Sequence, residues 1–302
     1  MMGGSHALTG GAAWVAIAST APYTLGWHPV SATGIIVGSV VAAGAALAPD
    51  ADHHNATIAH SLPSLGPIPS PTRLIATSIG RIAGGHRHGT HSIVGTLAFG
   101  LIAALANLVI IPNDTFGAIN IGGGLLALLL IAFAAKALKL ARGGWLSTWG
   151  LALAGATAVT LFAPDEWGWL PVAMVTGVVV HILGDMLTVG GCPIFYPLYP
   201  KQPKWLRSLI KNRIARRSGF VGFFAWVAKS APSLVVRVTL GRMWQPNGFF
   251  AIPVLGKTGS IRELVFAAVP VTLYYMWGLV WAICSLAGVN PTSAFQAINL
   301  LP

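Results

Sequence analysis

His181 and Asp185 stand one helical turn apart in the apolar run VVVHILGDMLT. At i and i+4 they project from one helix face, an arrangement suited to a single metal ion. An uncompensated carboxylate in the last turns of an apolar span is costly, and a divalent cation between imidazole and carboxylate removes that cost. Two further clusters have the same character. LAPDADHH supplies Asp50, Asp52, His53 and His54, and GGHRHGTHS supplies His86, Arg87, His88, Thr90, His91 and Ser92. His6 stands alone near the start. The two cysteines, Cys192 and Cys284, exclude a disulfide scaffold and a Cys-rich zinc finger, so a metal here is held by His and carboxylates.

These groups need elements to position them, and composition says which kind. Charged residues are 8% of the 302-residue chain, against roughly 25% in soluble domains. Hydrophobic residues reach 55% and mean hydropathy is +0.72. So few charges cannot cover a soluble globule, and the chain reads as an all-α integral membrane protein, a single membrane domain over residues 1–302. Apolar stretches long enough to cross a bilayer fall near 31–48, 92–112, 121–140, 145–163, 168–188 and 264–288. A shorter, Gly/Ala-rich candidate at 7–22 brings the bundle to about seven transmembrane helices. No signal peptide is expected at the N-terminus.

Charge placement orients that bundle. With the N-terminus cytoplasmic, the outer loops near 22–30, 113–120 and 164–167 and the tail after 288 hold no Lys or Arg. All 18 basic residues then lie in or beside cytoplasmic segments, a positive-inside pattern for the plasma (inner) membrane. All four His/Asp groups arrive at that same cytoplasmic boundary. Residues 189–261 form a basic cytoplasmic or interfacial insert. Within it KWLRSLIKNRIARR places Trp205, Leu206, Leu209, Ile210 and Ile214 at helical spacing among cations, the signature of a helix lying on anionic lipid. The anionic leaflet is thus the expected partner. The pI of 10.3 also fits a nucleic-acid arm, the lesser reading, because membrane attachment already accounts for it. Residues 233–255 suggest a hairpin around Pro-Asn-Gly.

Single residues carry blander readings too. His28, His54 and His60 read as structural histidines, while His88 stays open as a ligand. Ser260 and Glu263 fit a helix capping box in preference to a catalytic Glu263. Cys192 reads as a packed thiol.

The motifs SHALTG, LAPDADH, GHRHGTHS and HILGDMLTVGGCP, with a later KTGSIRE, run in order from His6 to Glu263. Together they resemble the YdjM-like family of membrane-bound, metal-dependent hydrolases, some described as LexA-binding. That family is distantly similar to zinc-dependent phospholipases C. His88 and a longer basic stretch at 203–245 depart from its pattern. The resemblance implies that His6, Asp50, His53, His86, His91, His181 and Asp185 are ligands, and it brings Asp52 into the site. A LexA-type partner does not carry over, since no residue set here matches it.

Eight candidate groups exceed the four of one structural zinc, so two or more divalent ions are expected, zinc first, with Mn or Mg as alternatives. Water acidified by them would attack phosphorus or a carbonyl carbon, with Asp50 or Asp52 as base. Arg87 can pair bidentately with a phosphate, and Thr90 can hydrogen-bond it. Thr90 and Ser92 equally suit capping of the third span. The expected function is hydrolysis of a phosphoester in a lipid or prenyl phosphate at the cytoplasmic leaflet. A cation transporter and a metal-binding scaffold without hydrolytic activity are the alternatives.

Overall fold

Serine and asparagine punctuate an otherwise apolar chain, and each starts a helix by giving its side-chain oxygen to an orphan N–H. Ser31 accepts from Gly34, Ser92 from Gly95, Asn120 from Gly123 and Ser260 from Glu263. In the computed structural model these caps open helices α2 (Ala32–Ala45), α4 (Ile93–Ala106), α5 (Ile121–Ala137) and α8 (Ile261–Leu286). The others are α1 (Gly3–Leu25), α3 (Pro71–Ile82), α6 (Trp145–Phe162) and α7 (Leu170–Met186). Pro71 opens α3 and Pro171 lies in the first turn of α7, where a missing N–H costs nothing. The structure describes residues 1–200 and 243–289, except 26–29, 57, 65, 67, 68, 116 and 246. The expected interfacial helix at 205–214, and most of the basic stretch 203–245, lie outside the described residues.

Each expected apolar segment carries a helix. Three segments are long and apolar enough to cross a membrane: Ala32–Asp52, Trp167–Met186 and Ile261–Leu286. Shorter apolar helices occupy Ile93–Ala106, Ile121–Ala137 and Trp145–Leu161. Side chains of Leu97, Leu101, Phe266, Leu273 and Ile283 stand exposed on α4 and α8, a surface that hydrocarbon rather than water would cover.

The expectation of a wholly α-helical chain needs one correction. The apolar run expected as a span over 92–112 leaves the helix at Ala106, and Ile110–Asn113 (β1) pairs antiparallel with Gly117–Asn120 (β2). Asn113 accepts the Thr115 N–H and turns the chain, while Asn120 donates to the Asn107 carbonyl and pins the hairpin to the end of α4. β-Branched Ile110 and Ile111 suit a strand as well as a span. Of the hairpin expected at 233–255, the described part is an antiparallel bridge between Trp244 and Phe250. Within α8, Leu264–Ala268 forms a π-helical stretch. Pro270 has no N–H to give the Phe266 carbonyl, and a widened turn accommodates that loss.

Glycines let the site-bearing helices approach at backbone distance. A Cβ on Gly10 of α1 would lie 2.6 Å from the Ala42 carbonyl oxygen, and one on Gly177 of α7 would lie 2.5 Å from the same atom. The backbone of α2 is therefore clasped between α1 and α7. Gly44 meets the backbone of Leu130 on α5 as closely, and Ser39 hydrogen-bonds Tyr275 of α8 at 3.0 Å. Trp14 closes the α1–α2 contact by donating to the Gly34 carbonyl.

Gly44→Val must push α5 off α2, since the new atoms meet main chain rather than a yielding side chain. We expect it to destabilise the detergent-solubilised protein by about 1–3 kcal/mol. Gly150→Ala, where a Cβ meets nothing within 4 Å, should leave the thermal midpoint unchanged or raise it.

Candidate metal centre

Four chain segments end at one place. α7 brings His181 and Asp185 in its last turns, and α1 brings His6 in its first. Below α2 a 3-10 turn, Pro49–Asp52, carries Asp50, and a second, Gly89–His91, carries His91 just before α4. His181 is fully buried and its Nδ1 lies 2.7 Å from the Ala46 carbonyl. A carbonyl only accepts, so Nδ1 holds the proton and Nε2 is left with its lone pair toward the cluster.

The donor atoms around that Nε2 are closely spaced. His91 Nε2 is 3.1 Å away, Asp50 Oδ1 3.7 Å and Asp185 Oδ2 4.0 Å. From His91 Nε2 the same carboxylate oxygens lie at 3.7 and 3.9 Å. Four ligands about 2.0–2.1 Å from a tetrahedral zinc would stand roughly 3.3–3.4 Å apart. The three edges among His91, His181 and Asp50 therefore match a small tetrahedral ion to within about 0.4 Å, while the two from Asp185, at 3.9 and 4.0 Å, are longer by about 0.5–0.7 Å. His6 stacks on His181 with ring centroids 3.8 Å apart, and its Nε2 lies 3.2 Å from Asp185 Oδ1. His6 Nδ1 is buried without a hydrogen-bond partner, an orphaned polar atom of the kind that fits a metal-binding cluster. Two three-residue sets can hold an ion, His6–His181–Asp185 and Asp50–His91–His181. Because His181 has one free nitrogen, both describe a single centre.

Asp52 stands one layer behind. Its Oδ1 is 2.8 Å from His86 Nδ1, and its Oδ2 accepts the Thr90 hydroxyl at 2.5 Å and the Arg87 N–H at 3.0 Å. His91 Nδ1 lies 3.4 Å from that same Oδ2. Carboxylates in this position fix the tautomer and direction of a ligating imidazole. Burial disfavours a charged His91, but Asp50 and Asp52 outweigh it and raise the imidazole to about 9. His53 moves the other way, lowered first by burial and then by the neighbouring His86.

Arg87 adopts a left-handed backbone, φ 58°, directly after the Gly84–Gly85 turn. Such a conformation costs a non-glycine residue energy and is held here by its N–H bond to Asp52. Its guanidinium reaches Asp185 Oδ2 at 2.7 Å and remains 22% exposed. Gly190 makes room for it, since a Cβ there would fall on the guanidinium. The Met1 amino group also pairs with Asp185.

The remaining expected residues fall around this core. His53 is half-buried with its ring 4.4 Å from that of His86, beside Asp52 and away from the four-atom set. His54 and His60 are exposed. His88 turns outward among Tyr196, Tyr199 and Phe249. Ser92 is the α4 cap, and Thr90 spends its hydroxyl on Asp52. Glu263 is buried and accepts from the backbone of Gly259 and Met2, beside the Ser260 cap. Cys192 is buried, its thiol pushed up by burial and turned toward the Ile182 carbonyl. His28 lies outside the described residues. Motif reading missed the Ala46 carbonyl, which has no side-chain signal, and the arginine face of α3, which the spacing of Arg73, Thr77 and Arg81 does signal.

The family model for the YdjM inner membrane protein matches residues 1–283, and the chain belongs to that family. No curated protein and no solved structure matches it. If the centre binds metal as its geometry indicates, His181→Ala should strip it. Asp52→Asn, which leaves the four donor atoms in place, should weaken affinity about 10–100-fold. Elemental analysis and competition with a chromogenic chelator read both outcomes.

Proposed function

We propose that this member of the YdjM family is a metal-dependent hydrolase that cleaves a phosphoester of a lipid or prenyl phosphate at the cytoplasmic leaflet. The observation that carries this reading is that His91, His181 and Asp185 are buried donors while the neighbouring Asp50 stays 25% exposed, so three protein ligands leave the fourth position of a tetrahedral ion on the accessible side, beside Asp50. Structural zinc sites are closed, whereas catalytic ones keep a position open to water or substrate. All donors sit at helix ends, at one end of the bundle. A transporter would hold its ion near the membrane midplane, in interrupted helices. The positive-inside distribution of the basic residues in the sequence supports a cytoplasmic location for this end and the N-terminus, in a bundle of about seven spans.

A bound divalent ion supplies Lewis acidity and an acidified water at neutral pH. Two imidazoles with two carboxylates suit zinc better than magnesium. The chain's own residues do the rest. Asp50, the least buried carboxylate of the set, takes the proton of the attacking water. Both oxygens of Asp52 are already engaged by His86, Thr90, Arg87 and His91, so it positions rather than reacts. Arg87 steadies Asp185 and turns its remaining N–H groups to the phosphate oxygens. Water oxygen bonds to phosphorus, the ester P–O bond breaks, and a proton returns to the leaving oxygen. His53 and His86, beside Asp52, are the residues left for a second ion.

Purified protein should carry at least one divalent ion per chain and release phosphate or a phosphorylated headgroup from a panel of phospholipids and prenyl phosphates. His181→Ala/Asp185→Ala should lose metal and turnover together. Asp50→Asn should keep much of the metal and lose about 100-fold or more in rate. Bound metal with no turnover on any phosphoester would overturn the hydrolase in favour of a metal-stabilised scaffold.

A further inference from the structure

Helix α3 separates two cavities that border the same turn. On one side is an open cleft of about 600 Å³ lined by Asp52, His54, Arg73, Thr77 and Arg81. Arg73, Thr77 and Arg81 recur every four residues and so share one face of α3. Among the described residues neither guanidinium has a carboxylate partner. On the other side is an almost wholly apolar cavity of about 200 Å³, lined by Ala51, Ile79, Phe99, Leu130 and Phe133 between α3, α4 and α5. Ile75, Ile102 and Leu129 also line it and are exposed, so it opens on the apolar outer surface of the bundle. The Pro49–Asp52 turn touches all three spaces. Ala51 faces the apolar cavity, Asp52 borders the arginine cleft, and Asp50 stands in the metal set.

An apolar slot open toward hydrocarbon, a cationic cleft without a carboxylate partner for its arginines and a donor cluster that borders the same turn match one kind of molecule. We propose that α3 straddles a lipid substrate, with the hydrocarbon chain in the slot behind Ala51 and the anionic phosphate head held by Arg73 and Arg81. This deepens the hydrolase reading, on which it rests for the identity of the bond cleaved. The two arginines select an anionic head by charge-assisted hydrogen bonds. The slot selects a hydrocarbon chain by burial, and exposed Leu74 and Ile82 seat α3 at the bilayer surface. Acyl and prenyl chains share this chemistry.

The test reads binding and needs no turnover. Full-length protein in nanodiscs is given phosphatidic acid or a prenyl phosphate with a photoreactive diazirine in its chain, and adducts are mapped by mass spectrometry. Adducts are expected at Ile79, Phe99 and Phe133, and the probe that gives them identifies the chain. Ile79→Trp, which fills the slot, should reduce them about tenfold. Arg73→Gln/Arg81→Gln should reduce labelling by the phosphate lipids about 100-fold and leave a diacylglycerol probe unaffected, the loss of two charge-assisted contacts. Circular dichroism and gel filtration confirm that the variants are folded. Adducts confined to outward residues such as Leu101 and Phe266, or unchanged by Ile79→Trp, would overturn the proposal. Slot labelling without hydrolysis of any phosphoester overturns the hydrolase alone, whereas hydrolysis without slot labelling overturns the slot alone.

Discussion

The bond from His181 Nδ1 to the Ala46 carbonyl does two things at once. It satisfies the first free carbonyl below α2, and it fixes which nitrogen of a fully buried imidazole faces the cluster. The bond forms only because Gly177 and Gly10 let α7 and α1 close on the backbone of α2. Helix packing thereby sets the tautomer of a candidate ligand, and the other donor atoms gather around that nitrogen. A side chain at Gly177 would displace Asp185 along with His181, since both hang from the same face of α7.

Electrostatics then holds the donors together. Seven acidic residues serve a chain with 18 Lys and Arg, and three of the seven are in this site. Asp52 spends both oxygens on orienting others, drawing the Gly89–His91 turn, the strained Arg87 backbone and His86 onto the Pro49–Asp52 turn. Asp185 is met by Arg87 and His6, so its negative charge is not left alone in an apolar helix. The same carboxylates, Asp50 and Asp52, raise the His91 imidazole against the effect of its burial.

Much of this was legible in the sequence, for definite reasons. Hydropathy located the helical segments because nothing competes with it over long apolar runs. It failed at Ile110–Ile111, where β-branched residues extend an apolar run yet turn into β1 under the control of Asn107, Asn113 and Asn120. The gathering of His6, Asp50, His91, His181 and Asp185 followed from their common position at helix ends. Spacing could not separate Asp50 from Asp52, because a residue that ligates and one that orients a ligand have the same chemistry. The 3-10 turn sets them apart in space, Asp50 facing His91 and His181 while Asp52 bonds His86, Arg87 and Thr90. Hydropathy does not reveal the face of α3, because its segment lies between long apolar runs, although Arg73 and Arg81 stand eight residues apart and so on one helix face.

X-ray absorption at the edge of the bound metal tests the central claim most directly, because it reads the donor set rather than its consequences. For protein purified without chelator, the account predicts a first shell of about four nitrogen and oxygen scatterers near 2.0–2.1 Å. Outer-shell scattering from two imidazoles should accompany it, with the imidazole signal lost in His91→Ala/His181→Ala. A sulfur scatterer near 2.3 Å, or folded protein that holds no metal at all, would contradict it.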